Sequence, residues 1–418
     1  MLLVREKSVL IGIGKLDTWA TCIRRGSRSG FAFGLVLLLA GVAGAQSARV
    51  YRDGQSWVEE SSGTLPASRA LRVNTPLGSV KVEGGGSGLR WTVRKRFVAS
   101  SEEEAKREFA RFRVNASRNA EGAILEVNDE SHTRGRFDAE FELHIPSKME
   151  WVRIGSGNGD ITVTGVTSRL DLNTRAGDIA VDKVNGAVRA LTQGGNLKFG
   201  QINGDLLART GGGNITLGSL QGHRLEAQTL GGNINLGVIG SGVVQNDGGN
   251  VTLQRCTGSL NIGNGGGDIT VDEADGPVTV STHGGNIRVG SSKGPVVART
   301  GGGNIALSKL AHGADARSGM GRIQAEFLAS SVAVQSTLHT GAGDIVIYVK
   351  SGVPLTVRAT TDIAAGQGIR SDFPEMKVTA ENGGWGPKMM YAEGLLSGGG
   401  PLLNIRTSIG QIDIRRDQ

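Results

Sequence analysis

A glycine followed by a polar residue and then an aliphatic residue recurs through the middle of the chain, and no other feature restricts the fold as strongly. The polar residue is Asn or Asp in every copy except the last, where it is Arg322. The repeated glycines are Gly159, Gly177, Gly195, Gly213, Gly232, Gly249, Gly267, Gly285, Gly303 and Gly321. Their nine intervals cover 162 residues, so the mean period is 18. A fixed period of this length predicts a protein built by stacking one structural unit.

The residues after each glycine predict strands, because the second and fourth positions are apolar in all ten copies. The second positions are Ile161, Ile179, Leu197, Ile215, Ile234, Val251, Ile269, Ile287, Ile305 and Ile323. The fourth positions are Val163, Val181, Phe199, Leu217, Leu236, Leu253, Val271, Val289, Leu307 and Ala325. A second short strand follows in many coils, with apolar pairs at Leu170 and Leu172, Val188 and Ala190, Leu260 and Ile262, Val278 and Val280, and Val296 and Ala298.

Two short strands cannot bury their apolar side alone. Parallel stacking of coils at about 4.8 Å buries a continuous core and satisfies the backbone. We therefore predict an all-β fold, a parallel β-solenoid (β-helix-like) of about ten 18-residue coils, with an N-terminal cap that contains one α-helix.

Residues 46–150 are interpreted as that N-terminal cap. Strand-like segments occur at 70–74, 90–98, 123–127 and 137–145, and Gly78 to Val82 resembles one further repeat. Ser101 and Glu104 match a capping box before the helix formers of Ala105 to Arg113. A cap of this kind shields an exposed strand edge, which would otherwise invite aggregation.

Residues 151–345 are interpreted as the solenoid, and residues 346–418 as C-terminal capping strands. The C-terminal segment has a loop near Phe373 and Pro374 and a glycine run from Gly398 to Gly400. Its last repeat-like turn runs from Gly410 to Ile414. This pattern predicts that the far end of the solenoid is closed as well.

Residues 1–45 predict a signal peptide. An apolar run from Phe31 to Ala45 follows Arg24, Arg25 and Arg28 and ends in small residues. The run is shorter than the ~20 residues of a membrane-spanning helix, so a retained anchor is the less favoured alternative. We expect export with cleavage after Ala45, no stable membrane span after that, and a location in the periplasm, at the cell surface or outside the cell.

The formal net charge of +7 does not predict nucleic-acid binding. Residues 1–45 hold six basic and two acidic side chains, and the remaining charges are interspersed rather than gathered in a stripe. Of the two cysteines, Cys22 lies ahead of the predicted cleavage site. Cys256 then stands alone in a coil turn, so a disulfide framework is excluded and a buried, unreactive thiol is the favoured interpretation.

Asn and Asp after the repeated glycine have two interpretations. Both residues bond their own main chain at turns, and stacked copies form a side-chain ladder at Asn196, Asn214, Asn233, Asn250, Asn286 and Asn304. The alternative is a calcium-dependent repeat binder that uses Asp160, Asp178, Asp268 and Asp344. Hard cations prefer several charged oxygens, whereas most coils offer a neutral Asn. We therefore assign no metal site and no cofactor.

An enzyme is the next alternative, because parallel β-helices also house enzymes that cleave polysaccharides. His223, His283 and His312 lie in predicted turns where other coils carry different residue types. Glu226 and Asp315 belong to well-separated coils, so they do not form the close carboxylate pair that glycoside hydrolysis needs. We assign no catalytic residue, and the sequence favours a protein that is not an enzyme.

Polysaccharide binding without cleavage stays open as an alternative, although it usually relies on flat aromatic side chains. From Val152 to Glu326 the chain has one aromatic residue, Phe199, and it is phased inward. The tryptophans near the ends are Trp57, Trp91, Trp151 and Trp385. Their favoured role is packing within the caps.

The order of these features resembles the DUF4097 family, which is described as a "putative adhesin" family of bacterial secreted or surface proteins. The resemblance rests on a strand ending in Ile145-Pro146, the serial glycine turns, Ser371-Asp372-Phe373-Pro374 and the closing turn Gly410 to Ile414. It covers about Arg69 to Arg416 and implies an exported structural or interaction protein. The implied partner is an unidentified protein or cell-envelope polymer, and the oligomeric state is not implied.

Overall fold

The computed structural model describes residues 47–130, 137–328, 334–381 and 389–417. It is nearly all-β, with a parallel β-solenoid of about 11 turns and a single helix near the N-terminus of the described chain. The predicted fold class is thereby confirmed. No helix among the described residues is long and apolar enough to cross a membrane.

The N-terminal region contains nine strands and the helix α1 (Glu102–Arg111). The strands are β1 (Ser47–Asp53), β2 (Ser56–Leu65), β3 (Ala70–Thr75), β4 (Ser79–Gly84), β5 (Leu89–Phe97), β6 (Phe112–Arg118), β7 (Ala123–Asp129), β8 (Phe137–Ile145) and β9 (Lys148–Ser156).

The coils that follow contain short parallel strands. They are β10 (Ile161–Thr164), β11 (Thr167–Thr174), β12 (Ile179–Asp182), β13 (Val184–Asn185), β14 (Val188–Thr192), β15 (Leu197–Asn203), β16 (Leu206–Thr210), β17 (Ile215–Thr229), β18 (Ile234–Asn246), β19 (Val251–Cys256), β20 (Leu260–Asn264), β21 (Ile269–Ala274), β22 (Val278–Thr282), β23 (Ile287–Ser292), β24 (Val296–Thr300), β25 (Ile305–Leu310), β26 (Ala314–Met320), β27 (Ile323–Phe327), β28 (Ser336–Ala342) and β29 (Ile345–Lys350).

Each coil contributes one strand to each of two long parallel faces. The first face pairs the residues after the repeated glycines, for example Ile161 with Ile179 and Leu197 with Ile215. The second face pairs the later strands, for example Leu170 with Val188. Apolar residues of both faces point inward and form one contiguous core, in which Phe199 is 2% exposed. The predicted alternation of inward and outward residues is therefore confirmed.

A third, shorter ladder lies between the two faces, and the sequence analysis did not include it. It pairs Val184 with Ile202, Leu220 with Ile239, and Cys256 with Ala274. The predicted position of Cys256 in a coil turn is wrong. The residue ends strand β19, and its side chain fills the core at this position of the coil. Its side chain is fully buried, and burial raises the pKa of the thiol, which keeps it protonated and unreactive.

The N-terminal strands continue both faces of the solenoid. Strand β4 pairs in parallel with β10, with Val80 opposite Ile161, so the repeat predicted at Gly78 to Val82 is confirmed. Strand β3 pairs in parallel with β9, which in turn pairs with β11. Farther out, β5, β2 and β1 pair antiparallel. The change of direction marks where stacking of coils gives way to hairpins.

Helix α1 covers a small separate cluster at this end. It begins after Ser101, whose Oγ accepts a hydrogen bond from the backbone N–H of Glu104, as the capping box predicts. The Glu104 carboxylate instead accepts from the N–H of Ser100, one residue earlier than the motif expects. The helix buries Ala105 and Phe109 against Phe97 and Ala99.

The C-terminal strands are β30 (Leu355–Ser371), β31 (Lys377–Glu381), β32 (Met389–Leu396) and β33 (Leu402–Asp417). Strand β33 stacks in parallel on β28 and β29, with Ile412 opposite Ile345, so the closing turn at Gly410 is a true repeat. Strand β30 adds a further parallel strand, and β32 and β31 then pair antiparallel. The division of the chain into an N-terminal cap, a solenoid and C-terminal capping strands, with boundaries at residues 150 and 345, stays a prediction.

Candidate interaction surface

The Asn and Asp residues after the repeated glycines form a side-chain ladder along one corner of the solenoid. Each Oδ1 accepts a hydrogen bond from the backbone N–H of the equivalent residue in the next coil, at 2.7–2.9 Å. The ladder runs from Asp160 to Arg322, which has no oxygen to continue it. It resumes where Asp344 accepts from the N–H of Gln411. This arrangement explains why Asn and Asp both serve at this position.

The same ladder bears on the calcium alternative. One oxygen of Asp160, Asp178 and Asp268 is already bound to the next coil. Within the described residues, none of these carboxylates belongs to a group of three side chains placed to share a metal ion. The structural interpretation is thereby favoured.

We predict that the double variant Asp160→Asn with Asp178→Asn keeps the free energy of unfolding within about 0.5 kcal/mol of the parent, because an amide Oδ1 accepts the same bond. Addition of calcium is expected to leave the melting temperature of both proteins unchanged. Thermal unfolding with and without millimolar calcium checks this. If calcium raised the melting temperature of the parent but not that of the double variant, the calcium alternative would be supported.

A second ladder lies inside the turns, and the sequence analysis missed it. Its hydroxyl or amide groups donate to the carbonyl oxygen of a glycine in the preceding coil, at 2.7–3.1 Å. The members are Ser156, Thr174, Thr192, Thr210, Thr229, Asn246, Asn264, Thr282, Thr300, Ser318, Thr340, Thr407 and Thr361. The signal was present, since a Thr precedes many repeated glycines by three residues. This ladder is structural, and among its members the Asn264 Oδ1 is a buried acceptor without a hydrogen-bond partner in the described part of the chain.

The histidines and carboxylates considered for catalysis do not converge. His223 lies in β17 rather than in a turn, at an irregularity in the register of that strand, and its Nε2 is 3.1 Å from Asn203 Oδ1. His283 and His312 lie in turns as predicted. Glu226 is bound by Arg209. Asp315, several coils away, is bound by Arg299 at 3.1 Å.

The tryptophans that the structure describes belong to the caps or their border. The Trp91 side chain is 3% exposed, and an added Cβ at Gly63 would lie 2.8 Å from its ring. Trp57 packs against the helix cluster. The guanidinium of Arg153 lies 5.5 Å from the ring centre of the half-buried Trp151. Trp385 lies outside the described residues, so its predicted role is not tested.

The outer side of the second face carries a shallow groove across four successive coils, which we call the arginine groove. It has a volume of about 430 Å³ and is lined by Arg169, Leu170, Ala187, Val188, Arg189, Asp205, Leu206, Leu207, Arg224 and Glu226. The register places these coils in direct succession, because Leu170 pairs with Val188, Val188 with Leu206, and Leu206 with Leu225. The groove therefore runs along the stacking axis.

The charges of the arginine groove are unevenly compensated. Asp171, beside the groove, binds Arg153 and Arg189 at 3.2 Å each, and Arg209 binds Glu226. Among the described residues, neither Arg169 nor Arg224 has a carboxylate within 4.0 Å of its guanidinium. Arg169 and Arg224 are three coils apart in the register, so at ~4.8 Å per coil their backbone positions are separated by about 14 Å. Within the described chain, the groove thus offers two cations without a carboxylate partner along one line, with the Asp205 carboxylate, paired only with the His223 side chain, at the equivalent position between them.

The arginine groove could not be predicted from the sequence, because its arginines do not recur with the glycine period. Arg169 and Arg224 have Ala187 and Asp205 between them at the equivalent positions. Only the register of the strands shows that Arg169, Arg189 and Arg224 share one surface.

No family model and no curated protein matches the chain. Similar solved structures include a "putative cell adhesion protein" from Clostridium sporogenes, with 10% identity and a TM-score of 0.18, over 86% of this chain and 100% of that one. A "putative adhesin" from Bacteroides fragilis has 8% identity and a TM-score of 0.27, over 86% and 97%. A "putative lipid binding protein" from Parabacteroides distasonis has 11% identity and a TM-score of 0.21, over 86% and 97%. At these scores the likenesses carry no argument about function, and assignment to DUF4097 stays a prediction.

Proposed function

We propose that this chain is an exported, non-catalytic binding protein that holds an extended acidic polymer of the cell envelope along the arginine groove. The observation that carries the proposal is the pair of guanidiniums without a carboxylate partner among the described residues, Arg169 and Arg224, aligned with the stacking axis. An adhesin-like role is one form of this function, because binding to an envelope polymer attaches the protein to a surface.

The shape of the groove supports an extended partner over a compact one. Leu170, Val188 and Leu206 line it on successive strands while their side chains stay buried in the core, so no large side chain from these positions closes it. Strands at ~4.8 Å spacing repeat the same backbone at every coil, so a polymer whose charged groups recur along its length can meet several arginines at once. Arginine suits carboxylate and phosphate groups, since its donors form paired hydrogen bonds with both.

The proposed location outside the cytoplasm rests on the predicted signal peptide of residues 1–45, which lie outside the described residues. The proposed lack of catalysis rests on how the groove carboxylates are engaged. Glu226 is bound to Arg209, and Asp205 Oδ1 accepts from the backbone N–H of Arg224 at 3.1 Å. Each of these carboxylates thus has a hydrogen-bond donor within its own surroundings.

Polygalacturonate, a linear polymer of carboxylated sugars, is a suitable probe for the proposed function. We predict that the parent protein binds it and that the double variant Arg169→Gln with Arg224→Gln binds at least about tenfold more weakly, because each lost charge-assisted contact is worth about 1.5 kcal/mol or more. Binding by the parent is also expected to weaken as salt rises, since exposed charges are screened. Isothermal titration calorimetry at two ionic strengths measures both effects.

The matched control is Arg288→Gln. Arg288 is also exposed and has no carboxylate within 4.0 Å among the described residues, but it lies on the first face. It is expected to leave the affinity unchanged. Equal weakening by Arg288→Gln would show general attraction to a basic protein and would contradict the proposal, as would binding of neutral dextran with the same affinity.

The polysaccharide-cleaving alternative is tested on the same polymer, because Asp205 and Glu226 line one groove. We expect no new reducing ends and no unsaturated products after prolonged incubation. Product formation that Glu226→Gln abolishes would replace binding by cleavage as the function of the groove.

A further inference from the structure

A second group of side chains that can bind a metal ion lies outside the arginine groove, on the outer surface of β4 and β8. Glu83 and His144 are directly opposite each other in the parallel pairing of these strands. Glu142 precedes His144 by two residues, so both side chains point to the same side of β8. Among the residues described, these three side chains alone form a group whose ligand atoms all lie within 4.8 Å of one another.

The side chains of this group lie close together without a direct hydrogen bond between His144 and either carboxylate. His144 Nδ1 lies 3.6 Å from Glu83 Oε2, and His144 Nε2 lies 3.7 Å from Glu142 Oε1. Both separations exceed the usual hydrogen-bond range. Two ligands of a tetrahedral zinc ion, with bonds of about 2.1 Å, lie about 3.4 Å apart. Because the two carboxylates lie beside different ring nitrogens, the His144 ring and one carboxylate must turn for a single nitrogen and both carboxylates to reach that spacing.

A competing cation occupies the edge of the group. Lys81 Nζ lies 2.7 Å from Glu83 Oε1 and 3.7 Å from Glu142 Oε1. Arg94 lies farther off, 4.0 Å from Glu142 Oε2. The oxygens that face His144 are Glu83 Oε2 and Glu142 Oε1, and Lys81 reaches the second of them only at 3.7 Å.

We propose that Glu83, Glu142 and His144 bind a divalent transition-metal ion of the zinc type, with water completing its coordination. One imidazole nitrogen and two carboxylates form a donor set that suits zinc better than calcium, which prefers oxygen ligands alone. The site is partly exposed on a rigid pair of strands, so a metal ion reaches it directly from solution. Metal binding there would tie β4, the first coil strand, to β8 of the cap.

Titration of the protein with zinc chloride alone, followed by calorimetry, tests the proposal. We expect one tight site per chain, and we expect His144→Gln to weaken its affinity at least about tenfold, the loss typical of removing a group that supports a metal. Glu142→Gln is a second variant with the same expected direction. Lys81→Met is expected to strengthen zinc binding about fivefold, because it removes a cation that lies 2.7 Å from Glu83 Oε1 and 3.7 Å from Glu142 Oε1.

The matched control is His339→Gln, which removes a half-buried histidine from the outer side of the second face. It is expected to leave the tight site unchanged. The proposal is overturned if the parent shows no tight site, if His144→Gln binds zinc as well as the parent, or if calcium binds with the affinity of zinc. A rise in affinity for Lys81→Met supports it in a way that a purely structural ion-pair network would not.

Discussion

Replacement of Gly303 by Ala is expected to lower the free energy of unfolding by about 3 kcal/mol, at the upper end of the range for overpacking. The repeated glycine lies directly against the preceding coil, and an added Cβ at Gly303 would stand 2.0 Å from the carbonyl oxygen of Gly285. The atom that would clash belongs to the backbone, so no side chain can rotate to relieve it. Chemical denaturation followed by circular dichroism measures the loss.

The neighbouring Gly302 provides the matched control. An added Cβ at Gly302 meets no atom within 4 Å, and the residue is exposed. Gly302→Ala is therefore expected to change stability by no more than about 0.5 kcal/mol. Hydrogen exchange adds a local readout, because coils in a solenoid contact only their neighbours, and protection should fall first around residues 285–321 in Gly303→Ala. Equal denaturation midpoints for the two variants would mean that close stacking is not why this glycine recurs.

The fold was predictable because its two determinants are both periodic. Inward residues such as Ile161 and Val163 alternate with outward ones, and the close approach at each repeated glycine leaves no room for a side chain. Each coil therefore shows the same pattern of a glycine followed by inward apolar residues. One copy alone would be weak evidence, but ten copies predict the fold reliably. The third ladder escaped prediction because its inward position holds Val184, Cys256 and Ser292 in different coils, with no common residue type.

The candidate surfaces were not predictable by the same route. Arg169 and Arg224 are 55 residues apart in the sequence. They share a groove because the three coils between them move the chain along the stacking axis by only three strand spacings. Glu83 and His144 meet because β8 returns beside β4 after the helix, a pairing outside the repeat. Both candidate surfaces lie where outward residues do not follow the repeat, and those residues carry no pattern of their own in the sequence.

Replacement of Thr229 by Val is expected to lower the free energy of unfolding by about 2 kcal/mol, because it leaves a buried donor and a buried acceptor without partners. The Thr229 hydroxyl donates to the Gly213 carbonyl oxygen at 2.9 Å and accepts from the Gly232 N–H at 3.3 Å. The side chain is fully buried, so water cannot replace either bond. Valine has nearly the same shape, and the variant therefore isolates the hydroxyl. The change is measured from the midpoints of chemical denaturation, with one common slope fitted to the parent and the variant.

The outward Thr216 on the first face is the matched control for this prediction, since it is exposed and its hydroxyl forms no bond in either ladder. Thr216→Val is expected to be neutral within about 0.5 kcal/mol, because valine suits a strand at least as well as threonine. Thr229→Ser keeps the hydroxyl but loses a methyl group, so it should fall between the parent and Thr229→Val. If Thr229→Val matched Thr216→Val, the inner ladder would contribute nothing beyond packing. The recurrence of Thr ahead of the glycines would then follow from its strand preference alone.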